Sequence, residues 1–273
     1  EGSVRKSGNR IRITAQLIEG MSGNHIWAEK FDRNLEDIFD VQDEITQTIV
    51  GVIGPEISGH ERMRAAQQRP GSLGAWGVMQ QGLHQLWRLD AESLQASVEL
   101  FQRALEMDPN LAQLHSYLSF ALEQMSHSGQ KEHNENVMHK AREHANRAIE
   151  LYENDALSHA VLARILGSER RYDDAIFEAK LAIDLNPNYS MAYQVLAAVY
   201  FWADRCVESV EAADQAIRLS PKDPFMPLVL AMRGAMILRS GGKAEDALSD
   251  VRRAVRLPNA DYRTWLLCAV AFM

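Results

Sequence analysis

The sequence predicts a mostly α protein, with helices stacked in antiparallel pairs behind a small partial α/β segment (an antiparallel meander plus a helix). Three observations carry this reading. Residues Ala156–Tyr189 and Ser190–Asp223 write one 34-residue pattern twice. Leu162, Ala163, Ala175, Ala179, Ala182 and Pro187 hold places 7, 8, 20, 24, 27 and 32 of the first copy, and Leu196, Ala197, Ser209, Ala213, Ala216 and Pro221 hold them in the second. From Ala75 onward apolar residues recur at helical spacing, whereas the first thirty alternate with a period of two.

The alternating segment comes first. Ile11, Ile13, Ala15 and Leu17 interleave with Arg10, Arg12, Thr14 and Gln16, the pattern of a strand with one buried face. Ser7-Gly8-Asn9 and Met21-Ser22-Gly23-Asn24 are turn chemistry on either side, and a further strand runs from Asn24 to Phe31. Gly2 to Phe31 therefore reads as a three-stranded antiparallel meander. A helix follows, with Asn34 as N-cap and Asp37 three residues on, where a carboxylate suits the helix dipole. Ile38, Ile45, Ile49, Val52 and Ile53 give it one apolar face, Gly54-Pro55 kinks or ends it, and a second helical stretch reaches Ala66. Gln67 to Gly74, with Arg69-Pro70-Gly71-Ser72, is the linker. The expected domains are 1–66, the linker 67–74, and 75–273.

The helical part has about five pairs and the first helix of a sixth. Small residues at places 8, 20 and 27 let two antiparallel helices approach closely, and the proline at 32 marks the exit of the second. The first pair carries Gly82 at place 8, then Phe101, Ala104 and Pro109 at 24, 27 and 32, with about three extra residues between its helices. The second has Leu118, Ser119, Ala141, Ala145 and Ala148, and its connection, Gln124 to Val137, is about ten residues too long. The fifth has Leu230, Ala231, Ala247, Val251 and Ala254, with Gly241-Gly242 in an enlarged turn. Asp261 to Met273 reads as a sixth first helix, cut off, whose Trp265, Leu266, Val270 and Phe272 lack a partner. With the abrupt opening at Glu1, this gives the expectation of a trimmed piece of a longer protein.

This period and pattern resemble the tetratricopeptide repeat. The resemblance implies an α-α superhelix, because one pair cannot bury its apolar faces alone and must stack on the next. It implies a binding scaffold with a concave groove lined from places 2, 5, 9, 12 and 13 of each first helix. Those places give Gln113, Ser116, Phe120, Glu123 and Gln124, then Leu157, Ala160, Arg164, Gly167 and Ser168, then Met191, Gln194, Ala198, Phe201 and Trp202, then Phe225, Leu228, Met232, Ala235 and Met236. Phe120, Arg164, Met191, Gln194, Phe201, Trp202, Phe225, Met232 and Met236 are the candidate peptide-groove residues. The groove turns apolar and methionine-rich toward the C-terminus, which suits an amphipathic helix or an extended apolar peptide. Members that clamp a chaperone's terminal carboxylate use Lys, Asn and Arg; only Arg164 could serve here, which disfavours that ligand. The alternative is that these side chains only pack helix on helix, or bury a segment of the same chain.

The N-terminal segment carries a second resemblance. Glu1-Gly2-Ser3-Val4-Arg5-Lys6, Arg10 to Leu17, His25 to Asp32 and Asp40-Val41-Gln42-Asp43-Glu44-Ile45 resemble the second half of the TolB-like domain, which bacterial multidomain proteins join directly to tetratricopeptide repeats. The whole arrangement is similar to the C-terminal region of class III adenylate/guanylate cyclase-like proteins. Winged-helix transcriptional regulators share it, and stand as the alternative. The cyclase domain has no counterpart in this chain, so no catalytic residue is carried over. The function implied is a non-catalytic interaction and regulatory region.

The remaining chemistry agrees. Hydrophobic content of 46% is that of a soluble globular protein, and no apolar run reaches the roughly 18 residues of a membrane span. The net charge of −8 argues against nucleic acid as a partner. Cys206 and Cys268 are too few for a disulfide framework or a thiolate metal site, and with no secretion signal visible the expected location is cytoplasmic. His127, His133, His139 and His144 cluster with Glu132, Glu135 and Glu143, but no metal-ligand spacing supports a site; a polar connection explains them better. His60-Glu61 lacks the second histidine of a zinc protease, and no GxSxG or activated cysteine is present. No metal or cofactor is expected. The basic residues near Gly2 to Gly8 lack phosphate-loop spacing and read as solvated strand charges. An exposed sheet edge at Gly2–Lys6 or Asn24–Phe31 predicts a homodimer.

Overall fold

In the computed structural model, which describes residues 2–18, 25–34, 74–126 and 131–271, the alternating segment forms three strands. They are β1 (Gly2–Ser7), β2 (Arg10–Ile18) and β3 (His25–Asn34), antiparallel in the order β1-β2-β3. Gly8 sits at φ 59° between β1 and β2, in the left-handed region that two-residue hairpin turns use and glycine takes without steric cost. Val4, Ile13 and Phe31 are cross-strand neighbours on one face; Arg5, Arg12 and Asp32 form the next row, on the other. Arg12 donates from Nε and Nη2 to Asp32 at 3.0 and 2.7 Å, and this guanidinium holds the Asp32 carboxyl below its ordinary value. The pairing carries β3 to Asn34, past the expected end at Phe31, so the residue read as a helix cap closes a strand. The helix expected from Asn34 to Ile53, its continuation to Ala66 and the linker residues 67–73 lie outside the described residues. The chain divides into two compact units, Glu1–Arg64 and Ala65–Met273.

The second unit is a tetratricopeptide-repeat superhelix. Its described helices are α1 (Ala75–Leu86), α2 (Ala91–Met107), α3 (Ala112–Ser126), α4 (Lys131–Leu151), α5 (Ala156–Ser168), α6 (Tyr172–Leu185), α7 (Ser190–Trp202), α8 (Cys206–Leu219), α9 (Met226–Arg239), α10 (Ala244–Ala254) and α11 (Tyr262–Ala271). Consecutive helices pair as hairpins, and the first helix of each pair packs on the first helix of the next from α3 to α11.

The small residues do what their spacing predicts. Ala163, Ala175 and Ala182, like Ala197, Ser209 and Ala216, are fully buried where the two helices of a pair meet. Serine in this seam satisfies its hydroxyl on the facing backbone. Ser119 Oγ, at place 8, donates 2.6 Å to the Ala141 carbonyl at place 20, and Ser209 Oγ, at place 20, donates 2.9 Å to the Ala197 carbonyl at place 8. In the first pair the exchange is steric. Phe101 occupies a place where the regular pairs have alanine, and Gly82 opposite makes room: a Cβ there would lie 2.5 Å from Phe101 Cε1.

Turns and caps recur as regularly. Arg170 and Asp204 adopt φ 63° and 58° just past α5 and α7, and the next residues, Arg171 and Arg205, donate their N–H to Leu166 and Tyr200 carbonyls at 2.9 Å. Gly241 and Gly242 repeat this after α9, with φ 76° and a 2.8 Å bond to Ile237. These are Schellman closures, which need one left-handed residue. Asp90, Asp155 and Asp261 cap α2, α5 and α11 by accepting from the N–H of Ser93, Ser158 and Thr264 at 2.8, 3.1 and 3.0 Å.

One expectation is corrected. The long connection placed at Gln124–Val137 is mostly helix: α3 continues to Ser126 and α4 begins at Lys131. Lys, Glu and Met are good helix formers, and Ser119 and Ala141 already align the two helices, so extra residues lengthen them.

Candidate functional site

The first helices α3, α5, α7, α9 and α11 form the inner wall of the superhelix, and that wall curls back on itself. Phe225, at the entrance to α9, sits with its ring 5.7 Å from Phe120 of α3 and 6.0 Å from Trp87 beyond α1. The three rings are tilted or edge-on to one another, the favourable aromatic arrangement. Arg263 of α11 donates from Nη1 to Gln124 Oε1 of α3 at 3.0 Å. The fifth and sixth repeats are thus tied to the first and second.

A cavity of about 360 Å³ opens within this curl. Its walls are apolar: Met191, Val195, Ala198, Phe201 and Trp202 from α7, Leu228, Val229 and Met232 from α9, and Tyr262, Leu266 and Leu267 from α11, with Phe120 and Phe225 completing it. Gly167 of α5 lets the indole of Trp202 settle against the wall, since a Cβ there would lie 2.7 Å from Trp202 Cζ3.

Polar groups form one chain across the wall. Glu123, fully buried, accepts from Arg164 Nε at 2.6 Å and from Gln124 Nε2 at 2.8 Å. Gln124 in turn accepts from Arg263, whose Nε donates to Asp261 at 2.6 Å. One amide therefore bridges two ion pairs, donating to a carboxylate and accepting from a guanidinium. Arg164 also lies over the Phe120 ring, 5.7 Å from its centroid, in cation–π range. A charge this deeply placed is stable only because it is paired.

Eight of the nine candidate groove residues line this one cavity: Phe120, Arg164, Met191, Gln194, Phe201, Trp202, Phe225 and Met232. The ninth, Met236, is 1% exposed and is not a lining residue. Among the eight, Met191, Phe201 and Trp202 are only partly buried, while Phe120 and Phe225 are buried against each other. The sequence reading did not place Tyr262, Arg263, Leu266 or Leu267 in the groove, and named Leu266 only as an apolar residue of the sixth helix that lacks a partner. Carrying the repeat register on from Ala254 at place 27 puts Tyr262 at place 1, Arg263 at place 2 and Leu266 at place 5, so two of the four stand at groove places.

The histidines take a different role. His115, at place 4 of the second repeat, and His144, at place 23, face each other with Nδ1···Nδ1 at 2.9 Å. His115 Nε2 lies 3.0 Å from the Pro109 carbonyl. A carbonyl only accepts, so Nε2 carries a proton; in neutral His115 the Nδ1 lone pair then takes the proton offered by His144. Burial, and then the neighbouring His115, push His144 down to about 4. The third repeat has His159 and Glu178 at the same two places. There Nδ1 donates to the carboxylate at 2.6 Å and Nε2 to the Glu153 carbonyl at 2.7 Å, which makes the ring an imidazolium. The Glu178 hydrogen bond raises His159 above its ordinary value, against the effect of burial. His139 pairs with Glu143 at 3.6 Å on an exposed helix face; His127 and the side chains of Glu132, His133 and Glu135 lie outside the described residues. Among the described residues no group of three or more His, Cys, Asp or Glu could hold a metal, and no helix is long and apolar enough to cross a membrane.

No family model matches the chain. It is 36% identical over 176 residues to a protein of Rhizobium meliloti (strain 1021) called "Putative adenylate cyclase 3", a match covering 64% of this chain. The match spans 30% of that protein's length. Among solved structures, a thermophilic TPR protein of Thermus thermophilus aligns with a TM-score of 0.57 at 18% identity, covering 73% of this chain and 99% of its own. The pilF protein of Pseudomonas aeruginosa aligns with a TM-score of 0.51 at 19% identity, over 77% and 86% of the two chains. At these identities the likeness is one of fold, and the fold shared is the tetratricopeptide-repeat superhelix.

Proposed function

We propose that this chain is a non-catalytic protein-interaction and regulatory region of an adenylate cyclase-like signalling protein. Its trough between α7, α9 and α11 receives an amphipathic helix or apolar peptide. The observation that carries the reading is the convergence of Met191, Phe201, Trp202, Leu228, Met232 and Leu266 on one apolar cavity. Met, Phe and Trp present large adaptable surface, and their partial exposure leaves apolar area that a partner would remove from water. The 36% identity to a protein called a putative adenylate cyclase supports the signalling context. In this reading residues 1–66 are the second half of a TolB-like domain and 75–273 the repeat domain, in the cytoplasm.

The test is selection of peptides from a library of amphipathic and apolar segments, followed by anisotropy titration. Phe201→Ala with Trp202→Ala should weaken selected peptides by about tenfold or more, the worth of losing two large apolar contacts. Helicity by circular dichroism should be retained. Failure to select any peptide, or equal affinity in the double variant, would count against the trough as a peptide site.

A further inference from the structure

The charged side chains that line the cavity are both arginines, Arg164 and Arg263, while their carboxylate partners Glu123 and Asp261 are not among its lining residues. Arg164 is 8% exposed and is anchored through Nε alone; no acceptor among the described residues takes its terminal NH₂ groups. Arg263 uses Nε and Nη1 and leaves Nη2 without one among the described residues. Both guanidinium groups are held in place by ion pairs while keeping donors to spare. A fixed, partly satisfied guanidinium in an apolar cavity favours an anionic oxygen, for which its planar fork is shaped.

We propose that this cavity binds a small single-chain amphiphile with an anionic head, such as a medium-chain carboxylate. The head takes the free donors of Arg164 and Arg263, and the apolar body lies along Met191, Phe201, Trp202 and Leu266. Size supports this. The cavity volume is about 360 Å³. That volume is in the range of small-molecule sites. Charge complementarity excludes a cationic amphiphile, and a neutral hydroxyl head accepts from these donors without the charge assistance that an anionic oxygen brings. This goes beyond the peptide reading by assigning a second ligand class to side chains that a peptide would also cover, Met191, Phe201, Trp202 and Leu266.

The experiment compares sodium decanoate with 1-decanol by titration calorimetry on the whole chain. Decanoate should bind once per chain, and about tenfold or more tighter than decanol, the worth of a hydrogen bond to a charged group. Arg263→Gln should abolish that preference while leaving decanol binding intact, which also reports that the variant is folded. If Arg263→Gln fails to fold, Arg263→Lys should retain part of the preference. Equal affinity for the two probes in the natural chain, or an unchanged preference in the folded Arg263 variants, would overturn the proposal. Peptide selection reads out separately: a chain that binds selected peptides and ignores decanoate keeps the first reading and loses this one.

Discussion

At the scale of single residues, the molecule solves the same local problem in different ways in successive repeats, and the differences are testable. Arg170 holds a left-handed conformation that costs a side-chain-bearing residue roughly 1–2 kcal/mol, of which glycine's greater unfolded freedom returns part. Arg170 is exposed, so Arg170→Gly loses little packing and should stabilise the chain by about 0.5–1 kcal/mol in urea denaturation. Gly82→Ala should do the reverse. Its Cβ would overlap the buried ring of Phe101, an overpacking cost of about 1–3 kcal/mol that exceeds the gain in helix propensity. The histidine pair gives a pH dependence. His144 is depressed to about 4, so between pH 6.5 and 4 the unfolded chain binds the proton more readily, and stability falls as pH falls through that window. His144→Glu installs the arrangement of the third repeat, in which a raised histidine contributes stability below 6.5. Thermal unfolding of that variant should therefore vary less between pH 6.5 and 5 than that of the natural chain.

At the scale of elements, the helix seams were legible in the sequence because they depend on residues a fixed distance apart. Places 8, 20 and 27 can be counted, and their small side chains announce close approach. The ion pair between Glu123 and Arg164 was not legible, since the two stand on different helices and only the packing of α3 on α5 joins them. Glu123 and Arg164 each looked like a groove residue; together they are a buried pair. Gly167 shows how an element tunes a site it does not touch chemically. Gly167→Ala should push the Trp202 indole into the cavity, weakening any ligand there while the far-ultraviolet spectrum stays unchanged. The meander offers a different test. All of β1 is exposed and Val4 is 65% exposed, so an unpaired backbone edge can recruit another copy. Sedimentation should show a dimer at high concentration, and Val4→Lys should shift it to monomer, because a charged edge discourages strand pairing.

At the scale of the whole repeat domain, what the sequence could not give was curvature. Each pair could be placed in register, yet the sum of small rotations that carries α11 to within hydrogen-bond reach of α3 belongs to no single repeat. That is why the bond from Arg263 to Gln124 escaped notice while the α7 groove residues did not. The curl also changes how the stack should come apart. A linear array of like units melts from its ends, each unit held by its immediate neighbours. Here Phe225 against Trp87 and Arg263 against Gln124 fasten distant units together. Fraying at either end must break these clasps first, so the array should denature as one event with a steep urea dependence. Phe225→Ala should unfasten it and spread that single transition into a shallower or stepped one.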